Sequence, residues 1–215
     1  MSRHPELLIP ASSLEVLKTA VIFGADAVYI GGEAFGLRAK AKNFSLEDMK
    51  EGIAFAHAHD VKVYVTANIL AHNGDLDGVR TYFEELKEIG PDALIIADPG
   101  VFDIAKEVCP EIERHISTQA NNTNYGTYNF WYRQGASRVV SARELSLQEL
   151  KELRAKIPAD ACSAIISLEE MPIRAHVPIH ADGNMQSWKR PVRVNICRFM
   201  KMSVELIFSI QKICA

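Results

Sequence analysis

From Glu6 to about Pro158 the chain alternates between short β-type runs and longer amphipathic helical runs. The β-type runs are ELLIPA (6–11), AVYIGG (27–32), VKVYVTANIL (61–70), ALIIAD (93–98), ERHISTQ (113–119) and SRVVSAREL (137–145). Strict alternation of strand and helix leaves few architectures. Each strand-helix-strand crossover is right-handed, and strands joined in this way lie parallel in one sheet. Two closures compete, an open doubly wound sheet and a barrel. The open sheet usually carries a glycine-rich phosphate turn after its first strand. Here PASS follows the first run and Tyr29–Gly32 ends the second, and neither is such a turn. The pattern therefore predicts an α/β fold, a partial (β/α) TIM-type barrel of about six β/α units with an irregular C-terminal tail. Six units fall short of the eight, in about 250 residues, of a complete barrel. The edges left open predict poor solubility.

Local signals mark the helix ends. Ser13 or Ser12 caps the first helical run, over 13–24. Ser45 caps the next, with Asp48 three residues on, and Asp75 or Asp77 opens the third. Ser146 with Glu149 forms a capping-box pattern. Gly24, Gly90 and Gly135 stop helices as left-handed caps, and Pro110 and Pro158 stop others because proline cannot continue one.

Composition excludes several classes. With 48% hydrophobic and 24% charged residues, the chain is neither disordered nor collagen-like. No apolar run approaches the roughly 18 residues of a membrane span. The start, MSRHPELLIPASS, lacks an apolar core of signal-peptide length, so a cytoplasmic location without a membrane partner is expected. Twenty-four basic against 27 acidic residues give a net charge of -3, so any nucleic-acid contact would rest on a local patch. Cys109, Cys162, Cys197 and Cys214 show no CxxC pairing and are expected to stay reduced.

In a barrel, chemistry sits where strands run into the loops before their helices. Arg38 and Asn43 follow the second run, Asn68 the third and Asp98 the fourth. Ser117, Thr118, Gln119, Asn121 and Asn122 follow the fifth, and Arg143 and Glu144 end the sixth. Each has a plain reading as a cap or turn residue, and Asp98, before Pro99 and Gly100, is read as one. Their clustering on one rim gives a second reading, a polar pocket for a carbonyl, amide or base edge. The substrate-binding candidates are Arg38, Asn43, Asn68, Gln119, Asn121, Arg143 and Glu144. Arg38, Arg143 and Asn68 would meet an anionic or carbonyl group, and Gln119, Asn121 and Glu144 would offer polar contacts. His57 and His59 fall on different helix faces, a poor metal pair. Cys109 reads as a small buried apolar residue. No GxSxG or HExxH motif is present, and no nucleophile, acid or base is assigned.

Three blocks carry a family resemblance: ELLIPASSLEVLKTAVIFGADAVYIGG, FGLRAKAKNFS and HISTQANNTNYGTYNFWYRQGASRVVSARELSLQEL. From about Glu6 to Ala161 the chain resembles the peptidase U32 family, the collagenase-like proteases. The resemblance implies a (β/α) barrel at the N-terminal end and, by family name, a hydrolase. It also implies an alternative, since better-understood relatives are tRNA or ribosomal RNA hydroxylation factors, and others serve oxygen-independent ubiquinone hydroxylation. The implied partners are thus RNA or a peptide substrate. In those relatives four cysteines hold an iron–sulfur cluster, in patterns resembling H-G-A-M-C-I-S-Y-S-G-R-C and G-A-C-x-H-P-C-R-W. Four thiolates suit such a cluster.

Those motifs do not follow here, which divides the chain into a partial barrel over 1–161 and an aberrant tail over 162–215. Shifting the reading frame by one base, with permitted synonymous codons, converts Arg174 to Gln186 into G-A-C-A-H-P-C-R-W-K-Y-A. The expectation is a deletion plus frameshift near residues 157–161, with the tail translated out of frame. The first cysteine pair is then lost, and Cys162, Cys197 and Cys214 are not cluster ligands. His176, His180 and Asp182 have metal-like spacing only by accident. On this reading the chain has no cofactor or metal of its own and is an inactive copy, a remnant without catalysis.

Overall fold

The computed structural model of the chain describes residues 6–36 and 43–158, which fall within one compact unit. Six strands form one sheet in the order β1 to β6, each parallel to the next. They are β1 (Leu8–Pro10), β2 (Ala27–Gly31), β3 (Lys62–Ala67), β4 (Ala93–Ile96), β5 (Glu113–Ile116) and β6 (Arg138–Val139). Helices alternate with them: α1 (Leu14–Ile22), α2 (Leu46–His57), α3 (Leu76–Ile89), α4 (Pro99–Val108), α5 (Tyr125–Gln134) and α6 (Leu147–Lys156). A doubly wound sheet reverses its strand order at a switch point. This sheet never does, and it curls into a half-barrel.

The alternation of side chains across each strand explains the two faces. Val28, Ile30, Val63, Val65, Leu94, Ile96 and Ile116 face outward and are buried under the helices. Leu8, Ala27, Tyr29, Tyr64, Ala93 and Ile95 share the other face and pack together inside the curl. Small residues at Ala27 and Ala93 leave room there for the Tyr64 ring.

The caps follow the local chemistry. Ser13 Oγ accepts from Val16 N at 3.3 Å, Ser45 Oγ from Asp48 N at 3.1 Å, and Ser146 and Glu149 complete the capping box. Asp98 caps α4, its Oδ1 accepting from Gly100 N at 2.8 Å and Val101 N at 3.0 Å. Asn124 caps α5 through a 3.0 Å bond from Thr127 N. Asp75 is the residue before α3, but its carboxylate turns back to accept from His72 N at 2.8 Å. Gly24, Gly90 and Gly135 all have positive φ, as their stop signals require.

The sixth strand departs from expectation. The run 137–145 yields only Arg138–Val139, because the buried Asn122 takes over the hydrogen bonding beyond it. Asn122 Nδ2 donates to Val140 O at 2.9 Å and to Ser117 O at 3.1 Å, and Ala142 N donates to Asn122 O. Arg143 and Glu144 therefore lie beyond the strand, not at its end. Gln119 likewise sits in a 3-10 turn, Thr118–Ala120, after β5 has stopped.

A candidate polar site in the barrel mouth

At the C-terminal ends of β2 and β3, the residues facing the barrel interior change from apolar to polar. Gly31 and Thr66 are register partners. A Cβ placed on Gly31 would lie 3.3 Å from Thr66 Oγ1 and 3.6 Å from Asn43 Oδ1, so both side chains close over a bare stretch of backbone. Thr66 Oγ1 donates to Ile30 O at 3.2 Å, which fixes its rotamer. Two residues on, Asn68 Nδ2 donates to Ser117 Oγ at 3.4 Å, linking β3 to the end of β5. Ser117 Oγ also accepts from Gln119 N at 3.3 Å. The result is a continuous arc of neutral hydrogen-bonding groups, Asn43, Thr66, Asn68 and Ser117.

Exposure separates this arc from the packed wall behind it. Tyr29, Gly31, Asn43, Thr66, Asn68 and Ile95 are all half-buried. Their outward-facing neighbours Val28, Ile30, Val65 and Leu94 are sealed under the helices. Water therefore reaches the interior face at this end. Two aromatic anchors flank the loop after β2. Phe35, with a φ of 59°, lies over Gly78 of α3, where an added Cβ would stand 2.9 Å from the ring. Phe44 is buried, and its N–H donates to Gly31 O.

The sequence candidates separate into groups. Asn43 and Asn68 come together on this arc. Gln119 and Asn121 are exposed and shape their own turn, Asn121 in the left-handed region with φ 51°. Arg143 and Glu144 are exposed beyond β6. Arg38 lies outside the described residues, as do the whole tail 162–215 and its Cys162, Cys197, Cys214, His176, His180 and Asp182. Sequence reading missed Tyr29, Gly31 and Thr66. The signal was present, since all three hold alternate positions on strands already recognised.

A charged cluster occupies the other end of the barrel interior. Arg138 Nη1 and Nη2 donate to Glu6 Oε1 and Oε2 at 2.6 and 3.2 Å, joining the start of β1 to β6. Tyr64 OH donates to Glu6 Oε2 at 2.8 Å, and the Arg138 guanidinium lies 5.3 Å from the Tyr64 ring centroid. The His115 ring meets Tyr64 edge-on at 4.7 Å and Glu113 Oε2 at 3.2 Å. Burial raises the Glu6 carboxyl, but the hydrogen bonds and charge of Arg138 outweigh it and hold the group below its ordinary value. Burial, reinforced by Arg138, pushes His115 down, so the ring is neutral. In barrels this end serves stability and the opposite end serves chemistry.

His57, His59 and Cys109 each have a structural partner. His57 shares a 2.8 Å hydrogen bond with Asp92 Oδ2, which also accepts from Val63 N. His59 turns to Phe55 O. Cys109 is buried behind α4, its thiol donating to Ala105 O and pushed up to about 11 by burial. Among the described residues no three His, Cys, Asp or Glu side chains gather as a metal site. No helix among them is long and apolar enough to cross a membrane.

Comparison with known proteins places this geometry. A family model described as Peptidase family U32 matches residues 12–166. A tRNA hydroxylation protein P1 of Bacillus subtilis is 43% identical over 165 residues, which cover 77% of this chain and 39% of that protein. The 23S rRNA 5-hydroxycytidine C2501 synthase of Escherichia coli is 38% identical over 152 residues, covering 71% of this chain and 23% of the synthase. The chain thus spans well under half the length of these relatives. Among solved structures, the U32 peptidase Mk0906 superposes with a TM-score of 0.60 at 13% identity, covering 74% of this chain and 68% of that one.

Proposed function

The chain is a member of peptidase family U32, and from that membership we propose that it acts on RNA, as the barrel portion of a base-hydroxylating protein. What carries the reading is that the curated relatives described above are named for hydroxylation of tRNA or rRNA. The mouth of the barrel supports it. Among the described residues its interior arc is neutral and carries the Asn43 and Asn68 amides, a surface suited to base edges. The peptidase reading has less support. Among the described residues, the two histidines that pair with carboxylates have their partners, Asp92 and Glu113, at the N-terminal ends of β4 and β5, away from that mouth.

Incubation with total tRNA and, separately, with gelatin tests the choice. RNA action predicts a tRNA complex whose affinity falls as salt rises. Release of gelatin peptides without any tRNA complex would favour the peptidase. The out-of-frame reading of residues 162–215 stands beside this as a proposal about the gene. Coding DNA whose alternate frame does not spell G-A-C-A-H-P-C-R-W would refute it.

A further inference from the structure

We infer that RNA lies across the outer surface of α5 and α6, its phosphates taken by Arg133, Lys151, Arg154 and Lys156 beside the exposed rings of Tyr125 and Phe130. The inference rests on the RNA reading above and assigns the contact surface that would serve it.

Charge is divided unequally along the chain. Residues 6–36 and 43–118, which build β1 to β5 and α1 to α4, carry 19 acidic against 7 basic side chains. Residues 119–158, which build α5, β6 and α6, carry 6 basic against 3 acidic. A polyanion is repelled by the first stretch and attracted by the second, although the chain as a whole is acidic. Pairing sharpens the division. On α1 and α3, Lys18, Arg80 and Lys87 are neutralised by Glu51, Glu107 and Glu111. In the second stretch Arg138 is held by Glu6 inside the barrel. Arg133, Lys151, Arg154 and Lys156 take no carboxylate partner among the described residues. Two of the three acidic groups there are engaged within α6 and its cap, Glu149 accepting from Ser146 N and Glu152 from Gln148 Nε2.

Aromatic rings are exposed on the same surface, Tyr125 at 47% and Phe130 at 43%. Lys156 Nζ lies 4.7 Å from the Tyr125 ring centroid, which brings the end of α6 against the start of α5. Cation and ring side by side suit a nucleic-acid strand, whose phosphates meet the one and whose bases stack on the other. The exposed apolar residues Val16, Ile22, Phe23 and Leu70 all fall in the acidic stretch.

The test uses the 215-residue chain and unfractionated tRNA, read by fluorescence anisotropy across a salt series. Each phosphate contact on a duplex adds about 0.9 to the slope of log affinity against log salt. The fourfold variant Arg133→Gln, Lys151→Gln, Arg154→Gln and Lys156→Gln should therefore lower that slope by about 3 and weaken binding by about tenfold or more. A control with the same change in net charge, Lys18→Gln, Lys50→Gln, Lys87→Gln and Lys106→Gln, should leave the slope within about 1 of the parent. Arg133→Gln alone, at an exposed position, should lower the slope by about 1, so a fourfold variant that fails to fold does not shield the inference. Equal losses in the fourfold variant and its control would overturn the surface while leaving the RNA reading intact. So would a loss seen only on replacing Arg38, Lys40 and Lys42, which lie outside the described residues. A parent chain that binds no tRNA would overturn both.

Discussion

Removing Glu6 should unlock the curl of the sheet. Glu6 and Arg138 lie 132 residues apart in sequence, and their bidentate pair joins the first and last strands described. The Arg138 side chain is only 13% exposed and that of Glu6 25%, so water screens the pair weakly. Arg138 Nε already lacks a hydrogen-bond partner. Glu6→Gln would leave a buried guanidinium beside His115 and Tyr64 with its charge uncompensated. Breaking a buried pair from one side costs about 3–5 kcal/mol, and the partial exposure of Glu6 places this case near 2–3 kcal/mol. For a domain of this size that lowers the melting temperature by roughly 4–12 °C. The assay is urea unfolding of the parent, Glu6→Gln, Arg138→Met and the double variant. Because the arginine's charge is the source of the cost, the double variant should be more stable than the sum of the single losses predicts. A coupling of about 1.5 kcal/mol or more is expected. Losses that add to within about 0.5 kcal/mol would refute the reasoning, since independent sites behave that way.

Two further outcomes follow from the same interior. His115 is held neutral when folded, its pKa pushed down from 6.5 to about 4 by burial and by Arg138, against the opposing pull of Glu113 and Glu6. Between those values the unfolded chain binds the proton and the folded chain does not, so stability should fall by on the order of 3 kcal/mol as pH drops from about 6.5 to 4. Urea midpoints across that range should show the fall in the parent and a much flatter profile in His115→Gln, and equal slopes in both would contradict it. Asn122→Asp should cost about 2 kcal/mol or more, because a carboxylate would face the Ser117 and Val140 carbonyls in place of a donating amide. Thermal unfolding checks it, and an unchanged midpoint would show that the amide does not hold the β5–β6 junction.

Much of the architecture was readable because its signals are local. The Ser45 and Ser146 caps, the Asp98 cap and the three left-handed glycines each act within a few residues of themselves. The unbroken alternation then implied the parallel order that β1 to β6 adopt. The failures have a common physical origin in contacts between distant residues. β6 was read as nine residues long because SRVVSAREL has strand character throughout, and nothing nearby announces that Asn122 will claim the Val140 carbonyl. Residue type alone selected Gln119, Asn121, Arg143 and Glu144, and the structure adds only that all four are exposed. Tyr29, Gly31 and Thr66 escaped notice because two are unremarkable strand residues and one a glycine. Only the register between β2 and β3 sets them side by side. The Glu6–Arg138 pair was equally hidden, since no local pattern relates two residues at opposite ends of the sheet. The candidates Arg38 and the tail residues lie outside the described part of the chain.

The most direct measurement of the central claim, that this chain serves RNA base hydroxylation, is nucleoside mass spectrometry of tRNA and rRNA from the source organism with and without the gene. The account predicts that deletion removes or depletes a pyrimidine nucleoside heavier than its parent by one oxygen atom, and that restoring the gene returns it. An unchanged nucleoside profile in both RNA classes would contradict the account.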